Sequence, residues 1–555
     1  MRQRARFVPF VCLVVLMGAA IAIGSDESRV IRLRHTLVAA YSLLLPQPTG
    51  LDDLAPVRRM DGNPIGVNVF LEQEVEEWKI RRSLQLIQSA GFGWIRQQML
   101  WAEIEPDAPG RFVDRATGGS SWQKYDRIVR LAREHGLRVL FRIDTSPAWT
   151  HASSSKLESP PDDVEQFGRF VGLVADRYRG QIEYVQIWNE PNLPFEWGDR
   201  APNAAAYTRM LEAARLHARR ANIDIKIVSA ALAPTTEFSE KGRNDLLYLQ
   251  EMYDAGARHA FDVLGANAYG LRSGPDDRRL AVDRDVNFSR PVLTRQVMVR
   301  NGDSSKPIWA AEVGWSALPE DWPSKSLWGR VDRATQASYT ARAIERARSE
   351  WPWLDGAFIW HFRIVAPEGR QLQQYYFNMV DDAFEPLPVY EAVQRVLTSP
   401  RIAGRGARSQ DDAAVWYDDY WSATNDGRAE GGSYRRATEP GATARLRFRG
   451  SDLAIQVGGI PGRGRISWLV DGGVARGEWI SASDRERFSA PLSVATGLAD
   501  GVHVLDVVAL EPDTRLDGFV VDQALGWPGN EASTALLIGG IAVILVSVGV
   551  GRRAG

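Results

Sequence analysis

From about residue 64 to residue 398 the chain alternates short apolar runs with longer amphipathic stretches, and this alternation constrains the fold more than any other feature. The apolar runs lie at 66–70, 94–98, 138–143, 184–188, 226–230, 263–267, 307–311 and 357–360. Between them, apolar residues recur with helical spacing over 75–89, 122–135, 164–178, 204–221, 245–255, 333–349 and 388–397. Gly136 and Gly180 stand just past two of these helices, where a left-handed residue costs glycine least. Strands alternating with helices imply a parallel sheet. Eight such units over about 335 residues fit an α/β fold of the (β/α)8 TIM-barrel type with loop insertions. A doubly wound open sheet is the alternative, but no G-x-G-x-x-G follows the first strand. The polar stretch 271–288 reads as an insertion after the sixth strand, and Asn287-Phe288-Ser289 within it fits a glycosylation sequon.

Residues 399–412 read as a linker, and beyond them the period changes to two. Ala444, Leu446 and Phe448 alternate with Arg445, Arg447 and Arg449, and Leu453, Ile455 and Val457 repeat the pattern after a Gly450-Ser451-Asp452 turn. Short alternating strands separated by turn residues predict an antiparallel, jelly-roll-like β-sandwich over 413–527. Trp416, Tyr417, Tyr420 and Trp421 form a candidate carbohydrate platform there; a domain that only spaces the barrel from a membrane is the other reading.

Both ends are membrane-like. Residues 7–24 carry no charge and follow Arg2, Arg4 and Arg6; they fit either a retained transmembrane anchor or a signal peptide, since Ala20-Ile21-Ala22 resembles a cleavage site. Residues 532–550 are uncharged and precede Arg552 and Arg553, which predicts a second transmembrane helix. The consistent topology leaves short cytoplasmic tails at 1–6 and 551–555, a juxtamembrane segment at 25–63, and the barrel and sandwich outside the cytoplasm at the cell membrane. The 67 Lys+Arg and 69 Asp+Glu leave a net charge of −2, so there is no global basic field to attract nucleic acid. The single cysteine, Cys12, excludes an intramolecular disulfide framework and zinc sites built from several cysteines. The 19 tryptophans suggest flat apolar surfaces at interfaces or in binding clefts.

On an eight-stranded barrel, chemistry gathers at the C-terminal ends of the strands. The fourth strand ends in Trp188-Asn189-Glu190-Pro191, and the seventh runs Trp309-Ala310-Ala311-Glu312-Val313-Gly314. Each sets a glutamate at the rim. Two carboxylates flanking a mouth are what glycoside hydrolysis needs, one to protonate the leaving oxygen and one to attack the sugar carbon or activate water.

Trp188-Asn189-Glu190-Pro191 resembles the fourth-strand motif of clan A glycoside hydrolases, including families 5 and 39. The segment around Glu312 resembles their seventh-strand nucleophile segment, and the landmarks keep the family's order over most of 64–398. The resemblance implies that Glu190 is the acid/base and Glu312 the nucleophile of a retaining mechanism. It further implies that Asn189 meets the sugar 2-hydroxyl, that Arg96 orients the nucleophile, that Tyr269 stands beside it, and that Trp360 floors the reacting sugar. Asn267 stands where many relatives carry histidine. Trp149, Trp197 and Trp315 are further candidates for subsite walls. Two carboxylates suffice for this chemistry, so no metal or organic cofactor is implied. The expectation is therefore a membrane-anchored retaining β-glycosidase acting on oligo- or polysaccharides. A non-catalytic glycan-binding protein and a transglycosylase using the same site are the alternatives.

Overall fold

The computed structural model describes residue 57 and residues 63–522, apart from short internal stretches of which 281–284 and 480–485 are the longest. The apolar segments 7–24 and 532–550, and almost all of 25–63, lie outside the described residues. Among the described residues no helix is long and apolar enough to cross a membrane.

Eight parallel strands alternate with eight helices. They are β1 (Ile65–Val69), α1 (Glu77–Ser89), β2 (Trp94–Leu100), α2 (Gln123–Glu134), β3 (Arg138–Asp144), α3 (Val164–Arg177), β4 (Tyr184–Ile187), α4 (Ala204–Ala221), β5 (Lys226–Val228), α5 (Asp245–Asp254), β6 (Leu264–Tyr269), α6 (Arg290–Arg300), β7 (Ile308–Gly314), α7 (Arg333–Glu350), β8 (Leu354–Ile359) and α8 (Pro388–Thr398). The sheet order is β5-β4-β3-β2-β1-β8-β7-β6. Isolated parallel bridges Val228–Val263 and Leu232–Ala266 bring β5 beside β6 and nearly close the ring. Side-chain caps start several helices: Asp163, Asn203, Asn244 and Asp332 each accept a bond from a backbone N–H of the first turn. Gly136 and Gly180 take φ values of 67° and 72°, as expected of residues just past a helix end.

Inside the ring a separate apolar cluster joins Trp94, Leu140, Val228, Val263, Trp309 and Phe358, with Tyr184 packed against it. Trp94 and Trp309 meet edge to face at 5.6 Å. Such bulk needs space opposite. A Cβ on Gly66 would fall 2.5 Å from the Phe358 ring, and one on Gly356 2.9 Å from Trp309. Much of the tryptophan surplus is therefore packing: Trp94, Trp101, Trp188, Trp309, Trp315, Trp351 and Trp353 are all fully buried. That corrects the expectation that the surplus marks binding surfaces.

The helix missing from the sequence reading is α6. Its buried face carries two arginines as well as aliphatic residues, which hides the amphipathic period. Arg290 pairs with Asp245 at the start of α5, at 2.6 Å and 3.0 Å, with both side chains buried. The Arg295 Nη1 donates to the Lys306 carbonyl at 2.7 Å. The candidate sequon is also explained by packing. Asn287 and Phe288 are buried, and the Asn287 amide donates to the Arg279 carbonyl at 2.8 Å, so this is not an exposed acceptor.

Two antiparallel sheets follow the barrel. One contains β9 (Gly406–Ser409), β11 (Trp421–Asn425), β12 (Ser433–Ala437), β14 (Asp452–Gly459), β17 (Arg487–Ala495) and β19 (Arg515–Asp522). The other orders β10 (Val415–Tyr417), β13 (Thr443–Arg449), β18 (Val502–Ala509), β15 (Arg465–Val470) and β16 (Arg476–Trp479). The β13 alternation sends Ala444, Leu446 and Phe448 inward and its arginines outward. Two expectations change. Gly406–Ser409, inside the stretch read as a linker, pairs with β19, because its backbone completes the edge of that sheet. The four-aromatic platform is split: Trp416 and Tyr420 are exposed, whereas Trp421 is buried in the core.

The buried Arg290–Asp245 pair generates a stability prediction. Arg290→Met strands a buried carboxylate and should lower the unfolding free energy of the barrel by about 3–5 kcal/mol. Arg290→Met combined with Asp245→Leu should recover most of that loss. Urea unfolding of the three chains checks both statements.

Candidate active site

The mouth of the barrel collects polar side chains from six strands. Period-two alternation aims Arg142 and Asp144 of β3 the same way, and likewise Asn267 and Tyr269 of β6. Asn68 comes from β1, Arg96 from β2 and Glu312 from β7. Asn189 and Glu190 follow directly on β4.

Two backbone irregularities set the glutamates. The first is a bulge on β7. Between Ala310 and Val313 the register shifts against both neighbouring strands, so β7 carries an extra residue there. A bulge bends its strand and re-aims a side chain. Asn68 occupies the disturbed ladder, donating to the carbonyls of Ala311 at 2.9 Å and Ile359 at 3.2 Å. The second irregularity is the exit from β4, where Trp188 and Glu190 have φ values of 71° and 33°. Non-glycine residues pay about 1–3 kcal/mol for such conformations and keep them only where their surroundings impose them. Here the Trp188 ring is buried against Phe167 and Trp197, and its Nε1 donates to the Glu196 carbonyl at 2.8 Å.

Glu312 is buried and well supplied with donors. Its Oε1 accepts from Arg96 Nη1 at 3.0 Å, and its Oε2 accepts from the Tyr269 hydroxyl at 2.7 Å and from Asn267 Nδ2 at 3.3 Å. Arg96 is itself fixed by Gln186 at 2.7 Å and Asn68 at 2.6 Å. Burial, and the Glu312 charge after it, push the Tyr269 phenol well above its ordinary range, so it stays a donor. Glu190 has one such partner, Asn267 Nδ2 at 2.6 Å from its Oε1. Burial first, then the charges of Glu312 and Glu196, hold the Glu190 carboxyl well above the ordinary carboxylate range; the Asn267 bond opposes them. A single amide nitrogen thus touches both carboxylates, and Asn267, ambiguous in the sequence, is the bridge between them.

The other predicted residues divide. Asn189 is buried beside the pair, with its amide engaged by Arg142 and Glu196. Trp360 lies half-buried at the end of β8, edge to face with Phe70 at 5.7 Å. Trp149 is half-buried, and its Nε1 donates to the Glu105 carbonyl at 2.7 Å. Trp197 and Trp315 are not surface walls. Trp197 is buried against Trp188 and Tyr207, and Trp315 is buried between Phe288 and Tyr339 with its Nε1 on the Ser273 carbonyl. Both rings complete the packing beneath loops, which is why they are not open to the mouth.

Sequence reading missed three charged groups. Arg142 and Asp144 form a buried pair at 2.7 Å, and Arg142 Nη1 lies 3.9 Å from Glu312. Glu196, on the loop after β4, is raised to about 7, chiefly by burial. The period-two pattern of β3 and the position of Glu196 in a post-strand loop were the available signals. Among the described residues no cluster of His, Cys, Asp and Glu is arranged to hold a metal ion. A cleft of about 730 Å3 opens elsewhere, between α2 and α3, lined by Trp122, Asp126 and Arg177 among others; no residue of the mouth lines it.

Residues 59–229 match the family model described as cellulase, glycosyl hydrolase family 5. The matched segment runs from just before β1 through β5, the first half of the barrel. A stretch of 113 residues is 27% identical to the chloroplastic beta-glucosidase-like SFR2 of Oryza sativa subsp. japonica, taking in 20% of this chain and 17% of that protein. Solved structures similar to the chain include a family 39 glycoside hydrolase from Bacteroides cellulosilyticus, at 16% identity over 82% of each chain and a TM-score of 0.47. A GH5_18 protein from Streptomyces cattleya, solved with Manβ1-4GlcNAc, matches at 16% identity over 62% of this chain and 83% of its own, with a TM-score of 0.47. A GH30 endoxylanase from Clostridium papyrosolvens matches at 11% identity over 82% of this chain and 98% of its own, with a TM-score of 0.41.

The charge arrangement in the mouth predicts opposite shifts from two substitutions. Glu312→Gln removes the neighbouring negative charge and should lower the Glu190 titration midpoint. Asn267→Ala removes the bond that favours the ionised form and should raise it. Carbon-13 NMR of carboxyl-labelled glutamate, with Glu190→Gln for assignment, reads both directions.

Proposed function

We propose that this chain is a retaining β-glycosidase that hydrolyses oligo- or polysaccharides by double displacement. The observation that carries the reading is the shared Asn267 nitrogen, 2.6 Å from Glu190 and 3.3 Å from Glu312. The two carboxylate oxygens can be no farther apart than those distances laid end to end. That bound on the two bonded oxygens is compatible with the roughly 5–5.5 Å carboxyl separation of retaining enzymes.

Glu312 attacks the anomeric carbon, while the protonated Glu190 gives its proton to the departing oxygen. The glycosyl group is then held as an ester on Glu312. Glu190, now ionised, takes a proton from water as that water attacks the same carbon. Arg96 and Tyr269 supply the hydrogen bonds that orient the nucleophile, and burial with the neighbouring negative charges raises the Glu190 carboxyl, which favours its protonated form. Trp360, half-buried at the end of β8, offers an apolar face to the sugar.

The apolar runs at 7–24 and 532–550 support a location at the cell membrane, with the barrel and sandwich outside the cytoplasm. The sandwich acts as a spacer in this reading, since Trp421 is buried in its core and Tyr417 is half-buried, which breaks up the four-aromatic platform.

Turnover of an activated aryl β-glycoside tests the proposal. Glu312→Ala should reduce kcat/KM by about a thousandfold or more, since both the covalent route and its charge are lost. Glu190→Ala should slow release of the glycosyl group most, and a small anion such as azide should restore turnover and yield the β-glycosyl azide. Full activity of Glu312→Ala would falsify the mechanism.

A further inference from the structure

Asn189 is gripped at both ends of its amide. Its Oδ1 accepts from Arg142 Nη1 at 3.2 Å, and its Nδ2 donates to Glu196 Oε1 at 2.7 Å. A guanidinium only donates and an ionised carboxylate only accepts. The two partners therefore admit one orientation of the amide. Turning it over would set N–H against guanidinium and oxygen against carboxylate. In the permitted orientation one Nδ2 hydrogen is committed to Glu196, and the other remains for a ligand in the mouth.

The grip is rigid on the Glu196 side. Glu196 lies in the 3-10 turn Pro194–Trp197, whose Trp197 ring is buried, and its own carbonyl accepts the Trp188 indole N–H. Gly198 closes the turn with φ 68°, and a Cβ there would fall 2.2 Å from Ser159 Oγ, so the loop packs directly on its neighbour. On the other side Arg142 is held by Asp144 at 2.7 Å.

We infer that Glu196 is the positioning residue that orients the Asn189 amide so that its second N–H meets the sugar 2-hydroxyl. This rests on the glycosidase reading of the mouth. A hydrogen bond to that hydroxyl strengthens in the oxocarbenium-like transition state, so its loss falls on kcat more than on KM. The charged groups facing Glu196 are Arg142 and Asp144 of β3, Glu190 after β4 and Glu312 of β7. Burial raises Glu196 to about 7, against the pull of Arg142. The ionised form, which enforces the amide orientation, therefore prevails above about pH 7 and is lost as pH falls through that value.

The test compares an aryl β-glycoside with its 2-deoxy counterpart in the full chain. Glu196→Ala should lower kcat/KM about tenfold or more on the hydroxylated substrate, mainly through kcat, and far less on the 2-deoxy substrate. Glu196→Gln, which keeps an acceptor but not the charge, should fall between. In the wild type the ratio of the two rates should drop as pH is lowered through about 7, and in Glu196→Gln it should not. Titration of Glu190 affects both substrates alike and cancels in the ratio. Equal losses on the two substrates would overturn the role of Glu196 while leaving the glycosidase reading intact. Should the wild type turn over neither substrate, that reading fails, and the orientation is decided without turnover. The Asn189 side-chain amide resonances, assigned through Asn189→Asp, should move with a midpoint near pH 7 in the wild type and lose that midpoint in Glu196→Gln; a pH-independent signal in the wild type overturns the inference.

Discussion

The mouth of this barrel depends on a buried ion pair, Arg96 with Glu312. Two carboxylates share one amide nitrogen in a place from which water is largely excluded. Taking a charge out of water costs several kcal/mol unless a partner and hydrogen bonds compensate. Arg96 provides both, and it does so from β2, which β1 and β8 separate from β7. Gln186 and Asn68 hold the guanidinium, so residues from β1, β2, β4 and β7 are tied through it. The ring of strands is thus a scaffold in a literal sense: it converts four separate pieces of sequence into one charge-compensated cluster.

That cluster needs departures from regular backbone. A uniform β7 would pair residue for residue with β6 and β8; the bulge interrupts this and leaves carbonyls that Asn68 satisfies. A uniform β4 would carry its extended backbone through Trp188 and Glu190, where positive φ values turn the chain instead. Both departures are locally unfavourable, and both are stabilised by neighbours. Asn68 serves the bulge and the arginine together, and the Trp188 indole ties the strained turn to the Glu196 loop. Backbone strain and side-chain placement are therefore one problem with one solution.

The legibility of the fold follows from the same physics. Every barrel strand was visible, because strands buried on both faces read as uninterrupted apolar runs. Seven helices were visible through their apolar stripe. The eighth, α6, was not, because Arg290 and Arg295 lie on its buried face and find acceptors there. A pattern of apolar and polar residues cannot register a charge that is buried with its partner. The same limit applied in the site. Glu190 and Glu312 stand in motifs at strand ends, whereas Arg142, Asp144 and Glu196 acquire meaning only from distances. Aromatic residues misled in the opposite direction: Trp197 and Trp315 follow strands but fill space beneath loops.

The two glutamates differ in what surrounds them, and the difference begins in the backbone. Glu312 lies within a strand; adjacent β6 supplies it with Tyr269 and Asn267, and Arg96 reaches it from β2. Glu190 lies just beyond a strand, at a turn, and of these donors receives Asn267 alone. Donors to a carboxylate favour its ionised form, and burial with a neighbouring negative charge favours the neutral one. The donors converge on Glu312, while burial and the neighbouring charges raise the Glu190 carboxyl. One carboxylate inside the strand and one outside it thus stand in different surroundings before any ligand enters the mouth, which is the asymmetry that the proposed double displacement needs.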